Sequence, residues 1–309
     1  MSFNVDGLYY YTKRAGPKPT MDRLSRRNLA PYEKYDAKPP YKIDWIARII
    51  NEYDPDVFFG VEIESYASFE TFNQDKLNSR YAAFVFEGNT PKDVKVGFLI
   101  KKDLPFSVEF LSHREATGSN ALYPNERKVF GRDVPVALIR TKGKQAPMLA
   151  VIGIHAASFK VRPGDPTSAG IRNLQYEATK KIIKNLLRKY GAKLPIVLTG
   201  DFNVDTRTSN ELKPLHQLLS SAFNFSRVPV AYEERITHSF HPDPNTYIYW
   251  QADDFFITQN LRERILAARV LHYVDPTGRI LALPTSIEAR KELPSDHRPI
   301  LLDIGINLK

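Results

Sequence analysis

Apolar residues recur along this chain with two periods, and their alternation outlines the elements. Ile43, Ile46, Ala47 and Ile50 share one helical face and Pro55 closes the segment, so a helix is predicted over 43–53. The run Val57-Phe58-Phe59-Gly60-Val61 is short and continuously apolar, as in a strand buried on both faces, and the acidic Glu62 comes at its end. Runs rich in β-formers predict further strands over 81–86, 94–100, 134–140 and 148–155. The clearest helix spans 171–190: Ile171, Leu174, Ala178, Ile182, Leu186 and Tyr190 keep helical spacing, the other face is basic, and Gly191 terminates it. A buried strand over 195–199 then runs into Gly200-Asp201-Phe202-Asn203, and a short helix is expected over 211–220. Strands over 254–258, 265–271 and 299–304 complete a mixed α/β pattern without repeat, heptad or low-complexity tract.

One stretch follows neither period. Residues 11–42 are rich in Pro, Lys, Arg and Tyr and predict an extended basic arm or long loop, carrying Lys13, Arg14, Lys18, Arg23, Arg26 and Arg27. Tracking a phosphate backbone and covering one side of the fold are equally weighted roles for it. The arm acquires interest from the overall charge, +9 formally with a pI near 9.4, which favours an anionic partner, nucleic acid first. Solvated surface lysine gives the same sum.

Across 309 residues, 42% are hydrophobic and 26% charged, enough apolar surface for a substantial core. The chain has no cysteine, which excludes a disulfide framework, thiolate zinc, an iron–sulfur cluster and a cysteine nucleophile. The start, MSFNVDGLYYYTKR, lacks the basic-then-apolar order of a secretory signal, and no apolar run approaches the roughly 20 residues that span a bilayer. The expectation is a soluble cytoplasmic protein; a mature secreted form would look the same.

Acidic and histidine residues recur where the predicted strands end: Glu62, His155, Asp201 with Asn203, Asp253, and Asp296 with His297. Strand ends along one sheet edge are where side chains distant in sequence converge. Hard oxygen donors suit magnesium, manganese or calcium. The implied chemistry is metal-assisted attack at phosphorus, with histidines moving protons.

Taken in order, Ser2-Phe3-Asn4-Val5, Pro55-Asp56-Val57 leading to Glu62, Ile154-His155-Ala156-Ala157-Ser158, Gly200-Asp201-Phe202-Asn203, Asp253 and Ser295-Asp296-His297 resemble the endonuclease/exonuclease/phosphatase superfamily. This is the group of pancreatic deoxyribonuclease, exonuclease III-type abasic-site endonucleases and inositol polyphosphate phosphatases. The resemblance spans nearly the whole chain and implies one catalytic domain over 1–309, a four-layer α/β/β/α sandwich of two mixed sheets flanked by helices. It makes Glu62 a metal-binding carboxylate assisted by Asn4, with Asp296 as a second metal or metal-shell ligand. Glu64 is the alternative to Glu62, since alternation puts both on one face and Ile63 on the other.

Asp201 and Asn203 share a face if their strand persists, and so reach one phosphate or water. His297 is paired with Asp253, for which Asp254 competes, and His155 contacts the scissile phosphate or the leaving oxygen. Which histidine activates water stays open. Arg132 resembles an arginine that approaches phosphate. His113, His216, His238, His241 and His272 are left as structural or surface residues, with His238 and His241 in a loop suited to lining a groove. Because only Met1 to Phe3 precede Asn4, the first strand is expected to be unusually short.

The expected activity is that of a nuclease on DNA or RNA, with Tyr9, Tyr10, Tyr11 and Tyr35 available to stack on bases. The alternatives are a phosphatase or phosphodiesterase for a small or lipid-linked phosphate, and a silent nucleic-acid-binding module that keeps the fold.

Overall fold

Two six-stranded mixed sheets account for the strands that the patterning predicts. The computed structural model describes residues 1–8, 38–90, 94–243, 246–275 and 277–306; most of the basic segment at 11–42, and Tyr9, Tyr10, Tyr11 and Tyr35, lie outside these. The first sheet contains β1 (Ser2–Leu8), β2 (Val57–Ile63), β3 (Tyr81–Phe86), β4 (Lys95–Lys101), β15 (Ile265–Val270) and β16 (Ile300–Ile304), ordered β15-β16-β1-β2-β4-β3. The second contains β5 (Phe106–Leu111), β8 (Val136–Thr141), β9 (Leu149–His155), β10 (Ile196–Asp201), β11 (Ser220–Ser221) and β14 (Asp253–Ile257), ordered β11-β14-β10-β9-β8-β5. Two small ribbons sit outside them, β6 (Thr117–Gly118) on β7 (Arg127–Lys128) and the hairpin β12 (His238–Asp243) on β13 (Thr246–Trp250).

Strand alternation sorts the apolar residues into three packed regions, which makes four layers. Phe59 and Val61 of β2 face Val151 of β9 and Val197 of β10 between the sheets. Phe58 of β2 faces the other way, onto Ile46 and Ile50 of helix α1 (Pro40–Tyr53) and Phe69 and Phe72 of α2 (Tyr66–Lys76). Ile152, Ile154 and Leu198 pack outward against Ile171, Leu174, Ile182 and Leu186 of α3 (Ala169–Tyr190). Each such side chain contributes about 1.5–3 kcal/mol on full burial, so the three regions fix how the sheets stack. The result is the expected α/β/β/α sandwich.

Several local expectations change. The helix predicted from 43 begins at Pro40, because proline is tolerated in the first turn, so the end of the basic segment is helical. The 211–220 helix is broken into a 3₁₀ turn at Asn210–Leu212, the four residues of α4 (Lys213–His216), and β11. Pro214 suits only a first turn, and Glu211 turns aside to clamp Arg172 at 2.8 and 2.9 Å. The first strand is not short: β1 continues beyond Asn4 to Leu8 through left-handed residues Asp6 (φ 48) and Gly7 (φ 74). Its register with β2 advances four residues against two there.

A second bulge decides which glutamate faces the site. Glu62 is left-handed (φ 63), and β2 advances two residues, Val61 to Ile63, against one on β4. Val61 therefore lies between the sheets while Ile63 lies on the α1 side, and simple alternation fails at Glu62. Glu64 is fully buried behind the bulge, where Ser68 of α2 donates to its carboxylate. It does not share a face with Glu62.

Candidate active site

Strand direction assembles the cluster. β9 and β10 run parallel and end at His155 and Asp201, while β14 is antiparallel to β10 and begins at Asp253. The registers pair His155 with Asp201 and Asp201 with Asp253, so three polar residues form one lateral row across adjacent strands. Gly200 makes this row possible. At φ 134 it brings β10 so close to β9 that a Cβ would stand 1.9 Å from the Ile154 carbonyl oxygen.

The first sheet closes over this row from the opposite side. Asn4, 2% exposed in β1, donates from Nδ2 to Asp201 Oδ2 at 3.1 Å and lies 3.4 Å from His297 Nε2. The Ser295–His297 segment is tied down through side-chain hydroxyls: Ser295 Oγ donates to the Asn4 carbonyl at 2.7 Å, His297 N–H donates to Ser295 Oγ at 3.0 Å, and the Tyr273 hydroxyl donates to the His297 carbonyl. His297 Nδ1 then sits 2.6 Å from Asp253 Oδ2. Asp254, the competing partner, points elsewhere, accepting from Ser221 Oγ and Gln251 Nε2, each at 2.8 Å.

Asp201 is the hub. Its Oδ2 lies 3.7 Å from His155 Nε2 and 3.8 Å from His297 Nε2. Asn203 adds its backbone N–H to Oδ1 at 2.8 Å and its Nδ2 to Oδ2 at 3.0 Å. The reason differs from the one expected, because the strand stops at Asp201 and Asn203 turns left-handed (φ 53), folding its amide back over the carboxylate. Phe202 is buried against Tyr176 and Phe256.

The two central histidines are driven to opposite charge states. Burial, then the positive charges of Arg132 and His297, hold His155 well below its ordinary 6.5, so it is neutral. Burial also works against the His297 imidazolium, but the charges of Asp253 and Asp201 overcome it and hold His297 well above 6.5. Burial raises Asp201 above the usual carboxylate range, with His297 opposing.

At the rim, Glu62 Oε1 stands 3.9 Å from His155 Nε2. Burial and the like charges of Asp6 and Asp296 raise Glu62 to about 7. Such mutual repulsion among oxygen donors is what a divalent cation relieves, so the donor set fits magnesium, manganese or calcium. Among the described residues, the potential ligand atoms of His238, Asp296 and His297, and those of Asp201, Asp253 and His297, lie within 4.8 Å of one another, and neither group includes Glu62. Arg132 is close enough for its charge to be felt at Glu62, Asp201 and His155.

His238 belongs to this cluster and corrects its assignment as a bystander. Its ring stacks on His297 with centroids 4.2 Å apart, and its Nε2 lies 3.6 Å from Asp296 Oδ2. Trp250 Nε1–H donates to His238 Nδ1, which leaves the proton on Nε2, facing Asp296. Arg290 of α5 (Ile287–Glu292) reaches the same Asp296 oxygen at 3.4 Å. The available signal was the β-forming run Thr246-Tyr247-Ile248-Tyr249-Trp250 after a Pro- and Asn-containing stretch, the second half of a hairpin pattern.

A four-layer sandwich with carboxylates and imidazoles converging where its two sheets meet defines a class of phosphoric ester hydrolases that typically use divalent metal ions. The family model described as endonuclease/exonuclease/phosphatase family matches residues 1–297, and the chain belongs to that family. Comparison with curated proteins finds no match.

Solved structures share the fold. An endonuclease/exonuclease/phosphatase family protein from Bacteroides thetaiotaomicron is 16% identical, with a TM-score of 0.60 over 100% of this chain and 97% of that one. A mannosyl-6-phosphatase from the same species is 16% identical, with a TM-score of 0.58 over 99% and 98%. Truncated TDP2 of Caenorhabditis elegans is 14% identical, with a TM-score of 0.54 over 84% and 88%. Among the described residues no helix is long and apolar enough to cross a membrane.

Proposed function

We propose that the protein is a divalent-metal-dependent phosphodiesterase that hydrolyses nucleic acid, with the whole chain acting as one catalytic domain. The supporting observation is a buried carboxylate, Asp201, flanked at 3.7 and 3.8 Å by one neutral and one cationic imidazole. A carboxylate beside a cationic imidazole puts a proton acceptor and a proton donor in one site, and the neutral imidazole adds a hydrogen-bond donor.

Asp201, fixed by Asn4 and Asn203, orients the attacking water and takes its proton as the new phosphorus–oxygen bond forms. The imidazolium of His297, oriented by Asp253, gives its proton to the leaving oxygen as the old bond breaks. Neutral His155 donates a hydrogen bond to a non-bridging oxygen, and Arg132 offsets the charge of the phosphate. Glu62, Asn4 and Asp296 would supply oxygen donors to a cation, whose charge would offset that of the phosphoryl oxygens.

The net charge of +9 and an arginine beside the cluster favour a polyanionic substrate. Hydrolysis of a small sugar phosphate is the second reading, favoured by the nearly full-length likeness to a mannosyl-6-phosphatase. The test is a panel of single- and double-stranded DNA, RNA and sugar phosphates with magnesium or manganese, with and without chelator. Nucleic-acid cleavage abolished by chelator, by His297→Ala and by Asp201→Ala in folded protein is the expected result. Turnover of sugar phosphates alone selects the second reading, and absence of chelator-sensitive hydrolysis across the panel overturns both.

A further inference from the structure

A cleft of about 690 Å³ opens beside the cluster, lined by Arg127, Arg132, Arg162 and Tyr123 among others, and none of its described lining residues is acidic. That volume falls in the range of ligand sites. Ala157 also lines it, two residues beyond His155 and so no more than about 7 Å of chain away. Arg132, whose charge is felt at Glu62 and Asp201, lines the cleft as well, so the cleft adjoins the reacting centre.

Its cations are held in place. Arg132 Nε is buried and has no hydrogen-bond partner among the described residues, a donor that a ligand oxygen would satisfy. The backbone before it is pinned by Asn89 and Thr90, whose N–H groups donate to the Gly131 carbonyl at 2.8 and 3.0 Å. A Cβ at Gly131 would stand 2.9 Å from Thr90 Cγ2, so the two segments pack closely. Arg127 lies over the Tyr123 ring at 5.0 Å, and the Tyr123 hydroxyl is anchored on Asp165 Oδ2 at 2.9 Å. Arg162 Nε donates to Ser168 Oγ at 3.2 Å. Lys128 is engaged by Glu115 at 2.7 Å, so the guanidinium groups carry the site. Arginine presents a planar fork that matches phosphate oxygens.

We propose that this cleft is a second-anion subsite, in which Arg127 and Arg162 hold a phosphate group of the substrate flanking the ester that is hydrolysed. It rests on the phosphodiesterase reading for its purpose, but its binding can be measured without turnover. The group is an adjacent nucleotide phosphate or the second phosphate of a small bisphosphate; its chemistry is the same in both.

The experiment is fluorescence anisotropy of labelled hexathymidylate on full-length His297→Ala protein across a salt series, with fructose 1,6-bisphosphate and glucose 6-phosphate as competitors. The Arg127→Ala/Arg162→Ala double variant should weaken hexathymidylate at least tenfold. It should also flatten the log Kd against log salt slope by roughly 0.7 for each phosphate that the two arginines no longer neutralise. The glucose 6-phosphate competition constant should change by a much smaller factor. The Arg→Lys double variant, which keeps the charge, should retain most of the slope, and thermal melts separate these effects from misfolding.

A subsite lost for the bisphosphate and not for the oligonucleotide assigns the second phosphate to a small molecule. An unchanged slope with Kd within twofold, or equal losses for one and two phosphates, overturns the subsite. If the native protein hydrolyses nothing while these binding changes appear, the subsite stands and the hydrolase reading falls.

Discussion

The sharpest perturbation of this site is Asp253→Asn, which keeps shape and removes one charge. Asp253 is fully buried, and its Oδ2 lies 2.6 Å from His297 Nδ1, while Oδ1 has no hydrogen-bond partner among the described residues. The carboxylate is thus committed to one imidazole. A hydrogen bond to a charged group is worth about 1.5–3 kcal/mol. If the proposed proton donation by His297 uses all of it, kcat falls roughly 10- to 150-fold, at about 1.36 kcal/mol per decade.

The same substitution carries a pH signature. His297 has a folded pKa raised well above 6.5, so its contribution to stability is complete below 6.5 and disappears as pH rises through the raised value. Without Asp253 the raised value falls, and the alkaline limbs of both kcat and melting temperature move to lower pH. The assay is the pH profile of bis(p-nitrophenyl) phosphate hydrolysis with magnesium, beside thermal melts and histidine ring proton shifts by NMR. A folded Asp253→Asn protein with kcat within twofold of native and an unmoved alkaline limb refutes the coupling.

Three further outcomes follow from other parts of the structure. Glu62 is raised to about 7 by burial and by Asp6 and Asp296; without cation, its contribution is present below 4.5 and lost as pH rises toward 7. Magnesium should therefore raise the melting temperature near pH 7, and Glu62→Gln should abolish that rise in a calorimetric titration. Gly200→Ala should cost at least about 4 kcal/mol in urea unfolding or leave no folded protein, since φ is 134 and the Ile154 carbonyl oxygen blocks the new carbon. A near-neutral result would mean that β9 and β10 separate easily.

Asp254 is raised by burial from 3.8 to about 6 despite donation by Ser221, so its contribution is present below 3.8 and lost by pH 6. Asp254→Asn should recover up to about 3 kcal/mol at pH 7 in denaturant melts, the linkage value of that shift. The gain requires the Gln251 amide to reverse, presenting an oxygen that now has no partner. Unchanged or lower stability at pH 7 argues against it.

Residues whose role depends on local period were legible in the sequence. The stripe Ile171, Leu174, Ala178, Ile182 and Leu186 marks α3 because one face of a helix must be apolar wherever it packs. His155, Asp201 and Asp253 were legible as strand ends, although their lateral row exists only through registers set by residues far apart in the chain. α2 was missed because Phe69 and Phe72 are its only large apolar buried residues, and its start depends on a Ser65 cap.

The bulges at Glu62 and at Asp6-Gly7 were illegible for a deeper reason. No side-chain alternation announces a left-handed glutamate or aspartate, and that conformation is tolerated only where surrounding packing over-determines it. Both bulges fall at the edge where carboxylates crowd. Evenly alternating strands would have continued past the site with Glu62 and Glu64 on a common face. The irregular backbone instead turns Glu62 toward His155 and leaves Glu64 buried beneath α2, so the chemistry of this edge depends on interrupting the strand period that makes the rest of the fold readable.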